Sequence, residues 1–221
     1  MTEAPRLQLP TARWNDIRIT TYVSAAHFDS HYYVLVLPPL FEFIRRDYGV
    51  SYTELGFALV AFNILAGLFQ TPAGFIVDRI GARIVLIAGL VLGAVAFAIA
   101  GMVNSFWVFV AMFALAGLGN SVYHPADYAL LSKHISAKRV GQAYSIHTFS
   151  GLLGGALAPA TLLFFYSFVG WRGAFVAAGA LGLIIAAVVA IQPDEPSEFP
   201  AKSGEKPAHE ANAPASWQLL L

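Results

Sequence analysis

The sequence contains no cysteine and few charged residues: none of its 221 residues is Cys, and 12% are Asp, Glu, Lys or Arg. The missing cysteine excludes disulfide bonds, thiol catalysis and cysteine-ligated metals. Soluble domains carry about 25% charged residues, so the low charge argues against a soluble protein. The formal net charge is zero. No basic excess is left for binding nucleic acid, and we expect no nucleic-acid partner.

Hydrophobic residues make up 57% of the chain, and the mean hydropathy is +0.64. A membrane-spanning helix needs roughly 20 mostly apolar residues. Six runs reach that length: Ile17–Ile44, Ser51–Val77, Ile84–Val103, Phe106–Leu131, Gly141–Val169 and Arg172–Ile191. Open strands would leave backbone groups unpaired in lipid. The sequence therefore predicts an all-α membrane protein that crosses a bilayer six times.

The predicted organisation is a cytoplasmic segment at residues 1–16, a six-helix bundle at residues 17–191 and a polar cytoplasmic linker or tail at residues 192–221. The first helix is expected to act as an uncleaved anchor, because no signal-peptide pattern precedes it. Ten of the thirteen Lys and Arg residues fall on one side of the predicted spans. The positive-inside rule then places both termini in the cytoplasm, and we expect a bacterial inner membrane. Residues Trp217–Leu221 are typical of the approach to another helix.

Polar residues are unevenly distributed among the six predicted spans. The third and sixth are almost entirely apolar, whereas the first, second, fourth and fifth carry His, Asp, Asn, Gln, Ser and Tyr. Polar groups at membrane depth normally face protein or water. We therefore expect helices one, two, four and five to surround an interior, with three and six outside. This period of three suits two inverted three-helix repeats, a common plan of transporters.

The loop between the second and third spans reads GFIVDRIGAR. It resembles the major facilitator superfamily loop G-x-L-x-D-R-x-G-x-R/K, with Ile76 in place of the usual leucine. The matching residues are Gly74, Asp78, Arg79, Gly81 and Arg83. The resemblance implies the N-terminal six-helix half of such a transporter, which works with a second six-helix half. That half would be a second copy, a separate chain or the remainder of a longer chain.

The resemblance implies that the five matching residues form a gate. Asp78 would pair with an arginine or a helix N-terminus in the outward-facing state and release it in the inward-facing state. The alternative is a loop whose positive charges merely set the topology.

Two further segments resemble superfamily exporters. The run Gly117–Pro125, continuing through Leu130–Ser132, is similar to the fosmidomycin-resistance branch, and Gly151–Pro159 resembles a degenerate glycine-proline motif of antiporters. Phe113 stands where drug and small-anion exporters often place an arginine. The resemblance implies a proton-coupled exporter of small drugs or organic anions.

Intramembrane polar residues are the candidates for transport. Asp29 and Asp127 are predicted to carry the coupled proton, and the alternative for each is a structural acid bonded to neighbouring helices. The predicted substrate-binding residues are His31, Tyr32, Asn63, Tyr123, His124 and His147.

The sequence favours a transporter over an enzyme. It lacks a recognisable Ser/His/Asp arrangement or a paired-carboxylate motif. His27 and His31 lie one helical turn apart, but Asp29 points about 200° away from them, so we expect no metal and no cofactor. The predicted function is proton-coupled secondary transport of a small organic solute or drug by alternating access. The alternative is a membrane scaffold or regulatory protein on the same fold.

Overall fold

The described part of the chain, residues 10–193, consists of helices and turns without any strand in the computed structural model, with side chains described from residue 13. The helices are α1 (Pro10–Val34), α2 (Phe41–Tyr48), α3 (Tyr52–Ile80), α4 (Ala82–Ala100), α5 (Phe106–Asn120), α6 (Tyr123–His134) and α7 (Val140–Ala190). A 3-10 turn at Pro38–Leu40 precedes α2. The predicted tail lies outside these residues from position 194 onward.

Helix α7 contains two spans. Its 51 residues would measure about 77 Å at 1.5 Å per residue, more than twice the thickness of a bilayer core. Gly170 interrupts it with φ 67° and ψ 178°. Because a left-handed φ is strained for residues that carry a Cβ, glycine fits this position. The fifth and sixth predicted spans are therefore separate helices, residues 140–169 and 171–190.

Four helical segments are long and apolar enough to cross a membrane: Tyr52–Ile80, Ala82–Ala100, Phe106–His134 and Val140–Ala190. The last of these contributes two spans because of Gly170. Helix α1 is less apolar, since it carries polar residues such as Asp16, His27 and Asp29, which it buries against its neighbours. Counted with α5 and α6 as one span and α7 as two, the long helices make six: α1, α3, α4, α5 with α6, and the two parts of α7. They confirm the predicted all-α membrane fold.

Two predicted spans are interrupted in the structure. The first was expected to run from Ile17 to Ile44, but α1 ends at Val34 and α2 starts at Phe41. Pro38 and Pro39 account for the break, because proline lacks the N–H that a helix needs and disfavours helical geometry before it. The fourth span divides into α5 and α6. Pro125 lies in the first turn of α6, where its missing donor has no helical partner to lose.

Helix α1 lies against α7, α3 packs on α5, and α4 packs on both α5 and α7. Along α1, Val23 and Ala26 belong to one apolar core, whereas Tyr32 and Tyr33 belong to another. The polar stretch between them includes His27, Asp29 and Ser30, all buried. Helix α4 and residues 171–190 each expose apolar side chains, as expected of helices that face lipid: Ile84, Val91, Val95, Ile99, Leu183, Ile184 and Val188.

Candidate functional site

A buried carboxylate lies between two imidazoles contributed by different helices. Asp127 of α6 is fully buried, and its Oδ2 is 3.1 Å from Nε2 of His147 in α7. The same oxygen is 3.5 Å from Nδ1 of His27 in α1. Both histidines are at least 95% buried. This group, His27, Asp127 and His147, is called the interior cluster below.

Two more histidines surround the interior cluster. The rings of His27 and His147 stack 3.7 Å apart, and the rings of His31 and His124 lie 4.6 Å and 5.2 Å from that of His27. Gly151 makes room for this arrangement. A Cβ at Gly151 would stand 2.6 Å and 2.7 Å from ring atoms of His27, closer than carbon atoms pack.

Several polar atoms of this region have no hydrogen-bond partner among the described residues. They are Nδ1 of His27, Oδ1 of Asp127 and Nδ1 of His124, each buried. Buried polar atoms are normally bonded, so each such atom requires an explanation. Ligand atoms of His27, Asp127 and His147 lie within 4.8 Å of one another.

Asp29 occupies a separate position on the other side of α1. The Tyr123 hydroxyl donates a hydrogen bond of 3.1 Å to its Oδ2, and its Oδ1 has no partner within the described range. Nearby, Ser30 Oγ donates to Oδ1 of Asn120. The two predicted proton carriers, Asp29 and Asp127, are therefore not in one cluster.

An open cleft lies beside the interior cluster. It has a volume of about 360 Å³ and is lined by Gly67, Gln70, Thr71, His124, Pro125 and Tyr128. Gln70, Thr71 and Tyr128 are exposed, whereas His124 is half-buried. His124 thus lies between the open cleft and His27.

The predicted substrate-binding residues divide into two groups. His31, His124 and His147 come together around His27, a residue that the substrate-binding prediction had not included. The other three lie elsewhere. Tyr32 shares a 2.9 Å hydrogen bond with Thr161, Tyr123 is buried against Asp29, and exposed Asn63 donates to the carbonyl of Leu59 in its own helix.

The five residues of the predicted gate surround the turn between α3 and α4. Gly81 has φ 95° and separates the two helices. Asp78 and Arg79 are exposed, and neither makes a hydrogen bond or ion pair within residues 13–193. Gly74 lies four residues before Asp78 in α3, and a Cβ added at Gly74 would meet no atom within 4 Å.

Arg83 has a definite contact at the end of α7. Its guanidinium donates to the carbonyls of Val189 at 3.0 Å and Ala190 at 2.9 Å, and also to that of Gln192. The last carbonyls of a helix have no N–H four residues further along the same helix, and the helix dipole favours a cation there. Arg83, predicted as part of the gate, therefore caps the C-terminus of α7, the end of residues 171–190.

Replacement of Arg83 by glutamine is expected to destabilise the bundle. The loss of a partly buried cation at a helix C-terminus should lower the free energy of unfolding by about 1–2 kcal/mol. Thermal unfolding in detergent measures the effect, with Arg79→Gln in the same loop as the matched control. Equal thermal midpoints for the two variants would contradict the capping role.

Comparison with known proteins places the chain. A family model described as Major Facilitator Superfamily matches residues 23–221. A bacterial homolog of the human lysosomal transporter Spinster, solved in an inward-facing and unoccupied conformation, superposes with a TM-score of 0.70 at 16% identity. The match covers 94% of this chain and 48% of that one.

Curated relatives carry transporter names. The Probable L-galactonate transporter of Escherichia coli K12 is 31% identical over 143 residues, which are 65% of this chain and 32% of the relative. The Probable sulfoacetate transporter SauU of Cupriavidus necator is 29% identical over 63% of this chain and 33% of its own. Multidrug resistance protein MdtH of Yersinia enterocolitica is 31% identical over 134 residues, which are 56% of this chain and 33% of the relative. This chain thus spans about a third of the length of these relatives. It belongs to the major facilitator superfamily.

Proposed function

We propose that the chain forms the N-terminal half of a secondary active transporter that moves a small organic solute by alternating access. Its membership of the superfamily and its likeness to one half of an inward-facing transporter support this function. The second half would come from the remainder of a longer chain, a separate chain or a second copy.

The observation that carries the proposal is the open cleft beside the interior cluster, which His124 lines. Polar groups inside a membrane are costly and mark pathways of substrates and ions. Here Gln70, Thr71 and Tyr128 line the open part of the cleft, and His124 lies behind them. Together with His31, these groups offer hydrogen bonds to a solute in the space between the two halves.

The names of the relatives indicate two broad classes of solute. Their names mention two organic anions, galactonate and sulfoacetate, and multiple drugs. The resemblance to the fosmidomycin-resistance branch stays a prediction within this range. The same relatives are named as transporters, which favours transport over catalysis.

Proton coupling is the finer part of the proposal. It rests on the resemblance of the chain to proton-coupled exporters, and Asp29 and Asp127 stay the predicted carriers. The gate is a proposal of the same kind. Asp78 and Arg79 are exposed and unpaired within the half that the structure describes, so they are available to the second half.

Uptake into proteoliposomes tests the function. The full-length protein is reconstituted with its second half, and accumulation of L-galactonate, sulfoacetate and a cationic drug is followed under an imposed proton gradient. We expect one class of solute to accumulate, a protonophore to abolish its accumulation, and Asp78→Asn to slow its entry. Lys138→Gln, a charge change in another loop, is the control.

The scaffold alternative gives the opposite result. It predicts that no solute moves, and that Asp29→Asn and Asp78→Asn leave the protein's partner interactions intact. Uptake that persists after the gradient is collapsed would keep transport but remove proton coupling.

A further inference from the structure

We propose that His27, Asp127 and His147 bind one divalent transition-metal ion of the zinc class in the interior of the bundle. An Asp127 carboxylate that holds a metal ion cannot also carry the coupled proton, so the proposal leaves that role to Asp29. It does not depend on the identity of the solute. It rests on the donor set, the distances between the donors, their unpartnered atoms and the route to the surface.

The donors are of the kind that zinc prefers. Two imidazole nitrogens and one carboxylate oxygen, with a fourth position left for water, form a set found in zinc proteins. Each donor comes from a different helix: His27 from α1, Asp127 from α6 and His147 from α7. This spread explains why no ligand spacing is visible in the sequence.

Two of the three distances between donor atoms fit a tetrahedral ion. Zinc–nitrogen bonds of about 2.0–2.1 Å place neighbouring ligand atoms about 3.3 Å apart. Oδ2 of Asp127 lies 3.1 Å from Nε2 of His147 and 3.5 Å from Nδ1 of His27. These two distances bracket the tetrahedral value, and the two imidazole nitrogens lie within 4.8 Å of each other. Because the two rings are stacked 3.7 Å apart, one ring has to turn before both nitrogens can point at the ion.

Unpartnered atoms supply a second and independent observation. Nδ1 of His27 and Oδ1 of Asp127 are buried, and no hydrogen bond satisfies either among the described residues. A proton shared between Asp127 and His147 leaves both of these atoms unsatisfied. A metal ion bonded to Nδ1 of His27 and to Oδ2 of Asp127 gives the nitrogen its partner, and a water in the fourth position can donate to Oδ1 of Asp127.

The ion has a route into the bundle. His124 lines the cleft, and its ring is 5.2 Å from that of His27. Nδ1 of His124 is also buried without a partner. His124 can therefore hand an incoming ion from the cleft to His27.

Metal binding to the purified full-length protein tests the inference. The protein, without a polyhistidine tag, is treated with chelator and titrated with Zn²⁺ by calorimetry and with Co²⁺ by visible absorption. We expect one equivalent to bind, a tetrahedral Co²⁺ spectrum, and a thermal midpoint raised by Zn²⁺. Asp127→Asn and His147→Gln should each weaken binding by about 100-fold or more, because even outer-shell changes cost 10–100-fold.

The control removes the two other histidines of the sequence, as His134→Gln with His209→Gln. This double variant should bind Zn²⁺ like the wild type. If Asp127→Asn fails to fold, His27→Asn and His147→Gln provide the same comparison. Failure of the wild type to bind, or loss of binding in the control with retention in the cluster variants, would overturn the proposal whether or not the protein transports.

Discussion

Replacement of Gly154 by alanine is expected to prevent tight packing of α1 on α7. An added Cβ would overlap the carbonyl oxygen of Phe28 and lie 2.9 Å from its carbonyl carbon. The neighbour is backbone, which cannot rotate away as a side chain can. Overpacking of this kind costs about 1–3 kcal/mol and sometimes more. Because α1 carries His27 and Asp29, its displacement should reduce both the yield of folded protein and transport.

Gly155→Ala is the matched control in the next position of α7. Its added Cβ would lie 3.4 Å from Leu35 Cδ1, an ordinary contact with the end of a side chain. Thermal unfolding and the fraction of monodisperse protein in detergent measure both variants. A Gly154→Ala variant as stable as Gly155→Ala would show that α1 and α7 are not in backbone contact at this point.

Replacement of Asp127 by asparagine is expected to have the largest effect on transport. The fully buried carboxylate is hydrogen-bonded to His147 and lies 3.5 Å from Nδ1 of His27, and the two histidines belong to two other helices. A hydrogen bond to a charged group contributes about 1.5–3 kcal/mol, which corresponds to a loss of about 10–150-fold in an equilibrium or a rate. Initial rates of solute uptake into proteoliposomes measure the effect.

The control for Asp127→Asn is Asp47→Asn. Asp47 bonds to Trp171 and Arg172 at the opposite end of the bundle from the α3–α4 turn, and it is far from the interior cluster. This variant should transport at close to the wild-type rate. Normal uptake by folded Asp127→Asn protein would remove the interior cluster from the transport pathway.

The membrane-spanning helices could be predicted from the sequence because each of them requires a long run of apolar residues. The second predicted span, Ser51–Val77, agrees with α3 within three residues at its C-terminus, and Ser51 is the N-cap, bonded to Glu54. The turn at Gly170 lies between the fifth and sixth predicted spans, which end at Val169 and begin at Arg172. The break after Val34 was missed, although Pro38 marks it. For the fourth span the sequence predicts a bend at Pro125, and the structure divides that span into α5 and α6 just before this proline.

The interior cluster could not be predicted because it depends on how three helices are rotated about their axes. His147 and Asp127 were each identified as candidates, but their 3.1 Å contact joins helices whose relative rotation no local pattern records. His27 was set aside because the carboxylate nearest in sequence, Asp29, points elsewhere. The structure agrees on Asp29, and the carboxylate beside His27 is instead that of Asp127, 100 residues after His27 in the chain.

Reactivity of a single cysteine in the cleft tests alternating access most directly. The chain has no cysteine of its own, so Gln70→Cys introduces one thiol at the exposed wall of the cleft. A membrane-impermeant maleimide is applied from either side of the native membrane, with Lys133→Cys at the end of α6 as a one-sided control. The account predicts that Gln70→Cys is modified from both sides and that bound solute protects it. Modification from one side only, under every gradient and solute condition, would contradict it.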